Sequence, residues 1–373
     1  MTTRRSVLTV QDICKSFDIK GKYVKCKELS TGNINSTYKV EYEYEGEQRY
    51  YIIQHINTNV FSEPVKLMDN IVRVTEHVHD RIKNNGMSTR KFVLHVYKAK
   101  GNGQPFFIDE NGEYWRCYRY IPDSVTFDYS DDYVIINRVG EAFGRFEKFL
   151  DGFDANSLFV TIPDFHNTPA RFYAFRNAVE SDLFGRVATV EDEIKRLFAL
   201  EAQACILQKK LDSGDIPLRV IHNDTKCNNV SFDMHTGEAL AVLDLDTVMP
   251  GAIAYDFGDG IRFIANTLEE DDPDYGNVRL DVKKFDAFAN GFLSQVKSIL
   301  TESEKETIYL GVLAMTTELA VRFLTDYLNG DTYFKTRYPG HNLDRARNQL
   351  ALAEDILKKT DLIKQITDKY IKE

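Results

Sequence analysis

The chain has 373 residues, of which 43% are hydrophobic and 28% charged, and a formal net charge of -10. That length exceeds a single core, because domains run to about 100 to 200 residues, so two units are expected. The acidic balance argues against a dedicated nucleic-acid binder, whose affinity comes from neutralising phosphates, and no uninterrupted apolar run reaches the about 18 residues of a membrane span.

The N-terminal "MTTRRSVLTVQDICKSF" has basic residues but only a short, broken apolar run, too little for a signal peptide. The expected location is the cytoplasm. Five cysteines (Cys14, Cys26, Cys117, Cys205, Cys227) never form C-x-x-C, which points to free thiols. The expected partners are small molecules, with no membrane or nucleic acid, and the chain a monomer or weak homodimer.

Residues 23 to 57 predict an antiparallel meander. "KYVKCKELS" is followed by "TGN", the alternating "INSTYKVEYEYEG", a turn at Glu45-Gly46-Glu47, and "RYYIIQHIN". Pro64 opens a helix with apolar Val65, Met68, Ile71, Val72, Val78 and Ile82, closed by Gly86. "KFVLHVYK" and "GEYWRCYRYI" add two strands, for a five-stranded sheet. After about Pro122 the pattern turns helical, over 131–150, 169–187, 190–212, 282–299, 303–328 and 343–372. The exception is a strand pair, "LRVIHND" with "NVSFD", followed by "ALAVLDLD". The expected organisation is a strand-rich unit with one main helix over 1–120 and a larger helical unit over 121–373.

Acidic groups gather around these short strands. "IHNDTKCNN" places His222, Asp224, Lys226 and Asn229 in one strand-end loop, where rigid strands position side chains that the loop exposes. Asp224 and Asn229 have the spacing of the protein-kinase loop H-R-D-L-x-x-x-N, in which the aspartate accepts a hydroxyl proton and the asparagine binds a metal ion. Lys226, two residues past the aspartate, would offset charge on a transferring phosphoryl group. His222 is expected to brace the loop through backbone hydrogen bonds, and Cys227 to be a packed thiol.

Two aspartates compete for the metal. "AYDFGDGIRF" contains the Asp-Phe-Gly that holds magnesium in protein kinases, but Asp256 lies beyond Pro250-Gly251 and no strand delivers it. Asp244 follows the apolar "ALAVL" fifteen residues past Asn229 and is the expected first metal ligand, with Asp246 a second. Asp256 heads a helical run and suits an N-cap that braces the loop. Magnesium is the expected ion, because it takes oxygen ligands from one or two carboxylates and from substrate phosphates.

The strand-rich unit is then expected to cover a nucleotide. Candidate contacts are Gly32 and Asn33 in the first turn, Gln54 on the third strand, and Tyr118 and Tyr120 in "CYRYIPD", whose backbone would face adenine. No G-x-x-x-x-G-K-[ST] occurs, so a P-loop kinase is not supported. Glu318, Arg322 and Asp326 recur every four residues, which fits either an exposed salt-bridge stripe or an acceptor site in which Arg322 turns inward. Tyr333, Asn33 and Phe263 are further candidates for the acceptor.

"HNDTKCNNV", "VLDLDTVMPG" and "DFGDGIRF" resemble the aminoglycoside and choline phosphotransferase superfamily, and within it the N-acetylhexosamine 1-kinases. The likeness extends to "GNINSTY", "QHINTNVF", "WRCYRYI", "VRFLTDYLNGDTYFK" and "NLDRARNQLAL". The resemblance implies an α+β, bilobal protein-kinase-like fold, with a small antiparallel-sheet N-lobe and a larger helical C-lobe. It implies transfer of the ATP γ-phosphate to the anomeric hydroxyl of N-acetylglucosamine or N-acetylgalactosamine. Asp224 would be the base, Asn229 and Asp244 the magnesium ligands, and the C-terminal block around Arg322 and Tyr333 the sugar site. One departure stands out: the strand "YYIIQHIN" lacks the ATP-contacting lysine, which leaves Glu76 on the following helix without a cation. Rival readings are another acceptor such as choline, an aminoglycoside or galactose, a metal-dependent phosphohydrolase, and a nucleotide-binding protein without catalysis.

Overall fold

Alternating side chains and tight turns build the N-terminal sheet in a computed structural model that describes residues 8–29 and 34–372. β1 (Lys22–Leu29), β2 (Ser36–Tyr44) and β3 (Glu47–Ile56) form the expected meander. β2 turns into β3 through Glu45 and Gly46, both at positive φ, the conformation that a two-residue hairpin requires. α2 (Pro64–Asn84) follows, then β4 (Val96–Tyr97), β5 (Phe107–Ile108) and β6 (Tyr114–Arg119). The strand order is β1-β2-β3-β6-β4, with β5 also pairing β6.

The sheet thus has six strands where five were expected. "KFVLHVYK" contributes only Val96–Tyr97, because the amides of Lys91 and Phe92 bond back to the Ser88 carbonyl and turn the chain short of the sheet. One sheet face packs Val40, Tyr42, Tyr51, Ile53 and Cys117 against Ile13 and Phe17 around α1 (Val10–Lys15), a short helix closed by a Thr9–Asp12 capping box. α2 turns its apolar stripe, Leu67, Met68, Ile71, Val74, Val78 and Ile82, into the main core. Buried Asn70 bolts this helix to the rest of the chain, donating to the Phe159 carbonyl at 2.8 Å and accepting from its amide at 2.9 Å.

β7 (Ser124–Val125) leads into the helical region: α3 (Tyr133–Leu150), α4 (Thr168–Ser181), α5 (Glu191–Ala204) and α6 (Ile206–Asp212). Four short strands come next: β8 (Arg219–Ile221), β9 (Val230–Asp233), β10 (Ala239–Val242) and β11 (Met249–Gly251). α7 (Ile253–Ile264), α8 (Val282–Val296), α9 (Glu302–Thr307), α10 (Leu310–Leu328), α11 (His341–Lys358) and α12 (Thr360–Lys372) complete the chain. The expected helices over 190–212, 303–328 and 343–372 are each two, broken at Cys205, Ile308–Tyr309 and Lys359, interruptions too short to disturb an apolar period.

Strand pairing also differs from expectation. β8 pairs with β11, not with β9, and β9 pairs with β10 and β7. The loops 222–229 and 243–248 therefore leave neighbouring strands side by side. The Leu243 amide donates to the Asn229 carbonyl at 2.8 Å, and Thr247 Oγ1 to the His222 carbonyl at 2.8 Å. α7 lies behind both loops and crosses α10 so closely that a Cβ on Gly258 would sit 2.1 Å from the Gly311 carbonyl oxygen.

Candidate active site

The loop between β8 and β9 is held by hydrogen bonds on every side. Asp256, fully buried in the first turn of α7, accepts the amides of His222 and Asn223, each at 2.7 Å. It is a helix residue and not the N-cap, a position taken by Ala252. The Thr225 amide donates to Asp259 at 2.9 Å, and Thr225 Oγ1 to the Asp256 carbonyl at 2.7 Å. His222 Nε2 donates to the Leu243 carbonyl at 2.8 Å, which leaves Nδ1 to accept the Asp224 amide at 3.2 Å. Phe257 is core, so each residue of "DFG" has a task other than binding metal: bracing, packing and close helix crossing.

Within that frame Asp224, Lys226 and Asn229 meet. Lys226 Nζ lies 3.1 Å from Asp224 Oδ1, and Asn229 Nδ2 donates to Asp224 Oδ2 at 3.1 Å and to its carbonyl at 2.9 Å. The Asp224 carboxylate holds the Lys226 ammonium firmly protonated, raising it above the usual lysine range against the effect of burial.

Asp244 stands at φ 53° just past β10, and its carboxylate makes no hydrogen bond or ion pair among the described residues. Asp244 is exposed, and crowding by the surrounding protein, then the nearby Asp246 and Asp224 carboxylates, raises its carboxyl above the usual carboxylate range. Asn229 donates through Nδ2, leaving Oδ1 uncommitted. These two oxygen donors suit a hard divalent cation that completes its shell with phosphates and water. Among the described residues no three acidic, histidine or cysteine side chains group into a protein-only metal cage.

Asp246 is placed otherwise than a free ligand. Both its oxygens are engaged, by a bidentate ion pair with Arg116 and by Asn35 Nδ2 at 2.6 Å. Arg116 is 1% exposed and stands directly across the sheet from Gln54, whose Oε1 accepts its Nε at 2.9 Å. Gln54 Nε2 donates to Thr37 at 2.9 Å, so that amide is used up inside the sheet. Glu76 is exposed. The neighbouring strand β6 thus sets a buried cation beside Gln54 of β3, and that cation meets Asp246, not a helix glutamate. Sequence reading missed Arg116 because only the strand register sets it opposite Gln54.

The remaining candidates are dispersed. Tyr118 is buried between β3 and β4, under the Arg116 guanidinium. Tyr120 donates its amide to Tyr50 and stacks beneath Lys39, whose Nζ is 3.7 Å from its ring centre. Phe263 packs into the main core from the last turn of α7. Gly32 and Asn33 lie outside the described residues.

Arg322 and Tyr333 share a cavity of about 200 Å³ with Arg171, Asp326, Thr332 and Phe334. The salt-bridge stripe along α10 does not form as an exposed feature. Glu318 is fully buried and 3.9 Å from Arg322, its oxygens taken by His166 Nδ1 at 2.9 Å and Thr168 Oγ1 at 3.0 Å. Asp326 is consumed by the amides of Thr332, Tyr333 and Phe334 and by Asn342. Arg171 has a buried Nε without a partner, and burial followed by the charge of Arg322 lowers its pKa. The cavity therefore carries two guanidinium groups and no uncommitted carboxylate.

Residues 25–282 match the model of the phosphotransferase enzyme family. Among solved structures, the chain is similar to a spectinomycin phosphotransferase in complex with ADP and spectinomycin, at 11% identity and a TM-score of 0.53, over 90% of this chain and 93% of that one. It is also similar to a choline kinase from Cryptosporidium parvum, at 12% identity and a TM-score of 0.52, over 95% of each chain. These likenesses establish the protein-kinase-like fold, an N-terminal antiparallel sheet joined to a larger helical region. With more than half of its length matched by the family model, the chain belongs to the phosphotransferase enzyme family.

Proposed function

We propose that the protein is an ATP- and magnesium-dependent kinase that phosphorylates the anomeric hydroxyl of an N-acetylhexosamine, N-acetylgalactosamine or N-acetylglucosamine. In this reading residues 1–120 cover the nucleotide and residues 121–373 carry the catalytic loop and the acceptor site. Asp224 aligns the sugar hydroxyl and takes its proton. Its carboxylate is already oriented by Lys226 and Asn229, so little reorganisation is left for the moment of transfer. Lys226, once phosphates arrive, shares its charge with them. Asn229 and Asp244 are the residues that would hold magnesium, which when bound neutralises charge on the phosphates. An anomeric hydroxyl is more acidic than an ordinary alcohol, which lightens the task of Asp224.

The observation that carries the choice of acceptor is the cavity at Arg322. Its two guanidinium groups donate hydrogen bonds and repel cations, and its one aspartate is spent on backbone amides. Such a pocket, with Tyr333 and Phe334 as an aromatic wall, fits the hydroxyls and acetamido oxygen of a neutral sugar better than choline or an aminoglycoside, whose positive charge the two guanidinium groups repel and no free carboxylate meets. The likeness to a choline kinase favours a second reading, a cationic alcohol as acceptor.

A coupled ADP-release assay with ATP and magnesium decides between them, offering N-acetylgalactosamine, N-acetylglucosamine, galactose and choline beside Asp224→Asn. Release that depends on an N-acetylhexosamine and disappears in the variant is expected. Turnover of choline alone would sink the acceptor assignment.

A further inference from the structure

Resting on the kinase reading, we propose that His166 is a positioning residue that locks the acceptor-site helix α10 to the peptide group from which Asp224 projects. His166, in the loop before α4, is 8% exposed. Its Nε2 lies 3.1 Å from the carbonyl oxygen of Asn223, and its Nδ1 lies 2.9 Å from Oε1 of Glu318 on α10. The Asn223 carbonyl can only accept, so Nε2 carries the hydrogen of that contact.

The peptide between Asn223 and Asp224 is the hinge of the proposed base. Asn223 has φ 66°, a left-handed conformation that persists only where surrounding contacts over-determine it. The contacts are complete. Asp256 holds the Asn223 amide, Asn223 Nδ2 donates to the Thr247 carbonyl at 2.9 Å, His222 holds the amide of Asp224, and His166 holds the carbonyl between them. Two histidines thus clamp one peptide plane from its N–H and C=O sides, and that plane sets the direction of the Asp224 side chain.

The other arm of His166 reaches the acceptor side. Glu318 is fully buried, fixed also by Thr168, and stands one helical turn before Arg322 in the cavity. Arg322, Glu318, His166 and the Asn223 carbonyl form one continuous chain of contacts. It makes the acceptor-binding arginine and the base parts of a single rigid unit. Reacting atoms must be held to within a fraction of an ångström for phosphoryl transfer, so loosening this chain lowers turnover.

The test compares wild type with His166→Ala, His166→Gln and Glu318→Gln. It measures kcat and KM for whichever acceptor wild type uses best among N-acetylgalactosamine, N-acetylglucosamine and choline, and the melting shift produced by ADP with magnesium. His166→Ala is expected to lose ~10- to 100-fold in kcat while keeping the nucleotide-induced shift. His166→Gln regains part of that loss, since its amide still donates to the Asn223 carbonyl. Wild-type kcat in folded His166→Ala overturns the proposal, as does a loss of the nucleotide shift in step with kcat, which marks a general structural role. Should His166→Ala fail to fold, wild-type kcat in both His166→Gln and Glu318→Gln overturns it. Turnover of choline alone refutes the sugar assignment, and the variants are then compared on choline. With no acceptor used, slow ATP hydrolysis supplies the same comparison.

Discussion

Replacing Asp256 by asparagine separates the two meanings that its Asp-Phe-Gly context offers. The carboxylate accepts the His222 and Asn223 amides, both at 2.7 Å and both away from solvent. An asparagine of the same size offers one acceptor oxygen and turns an NH₂ group toward the other amide. One buried donor is left unmatched, at a cost of about 1 to 3 kcal/mol; alanine leaves two, about 2 to 6 kcal/mol. Set against total stabilities of about 5 to 15 kcal/mol, either loss is readily measured by urea unfolding. Because the freed amides belong to the loop that carries Asp224, kcat should fall as well, while the magnesium concentration for half-maximal rate stays near that of wild type. Asp256→Asn with unchanged stability and a large rise in the magnesium requirement would refute this reasoning and return the metal to Asp256.

Four further outcomes are expected. Glu147 lies buried against Asp256, and burial followed by that neighbour's charge raises its carboxyl well above the usual range. The folded state therefore keeps a proton that the unfolded chain sheds above about pH 4.3, so stability falls as pH rises beyond that point, by up to about 1.4 kcal/mol per unit. Glu147→Gln should remove this slope and stabilise the protein at neutral pH, which unfolding curves from pH 4 to 8 check. Asp244→Asn should abolish the magnesium-dependent part of the ADP melting shift while leaving the fold intact. Asp246→Asn should instead destabilise by about 3 to 5 kcal/mol, because it strands the buried Arg116 guanidinium, and unfolding free energies of the two variants will differ accordingly. Gly258→Ala should cost about 1 to 3 kcal/mol or more, since its methyl group would meet the Gly311 carbonyl at 2.1 Å; a variant as stable as wild type would show that the helix crossing is loose.

The groups legible in the sequence are those whose relation is local. Asp224, Lys226 and Asn229 share one loop between two short strands, so their spacing nearly fixes their proximity, and the apolar run before Asp244 announces a strand that ends beside them. The meander from β1 to β3 was legible for the same reason, its turns being written in consecutive residues. The sequence shows no strand before Asp256, yet β11 ends at Gly251 just ahead of α7; the hold of Asp256 on the His222 and Asn223 amides depends on how α7 packs, and the N-cap expectation failed there.

Tertiary structure decided the rest. Arg116 meets Asp246 across 130 residues, His166 meets Glu318 across 152, and β8 finds β11 instead of β9. Such pairs carry no signature in spacing, because burial selects a charge partner by position in the packed core, not by distance along the chain. The register of β3 and β6 likewise sets Arg116 beside Gln54, so a buried cation reaches a place on the sheet that the β3 sequence by itself does not announce.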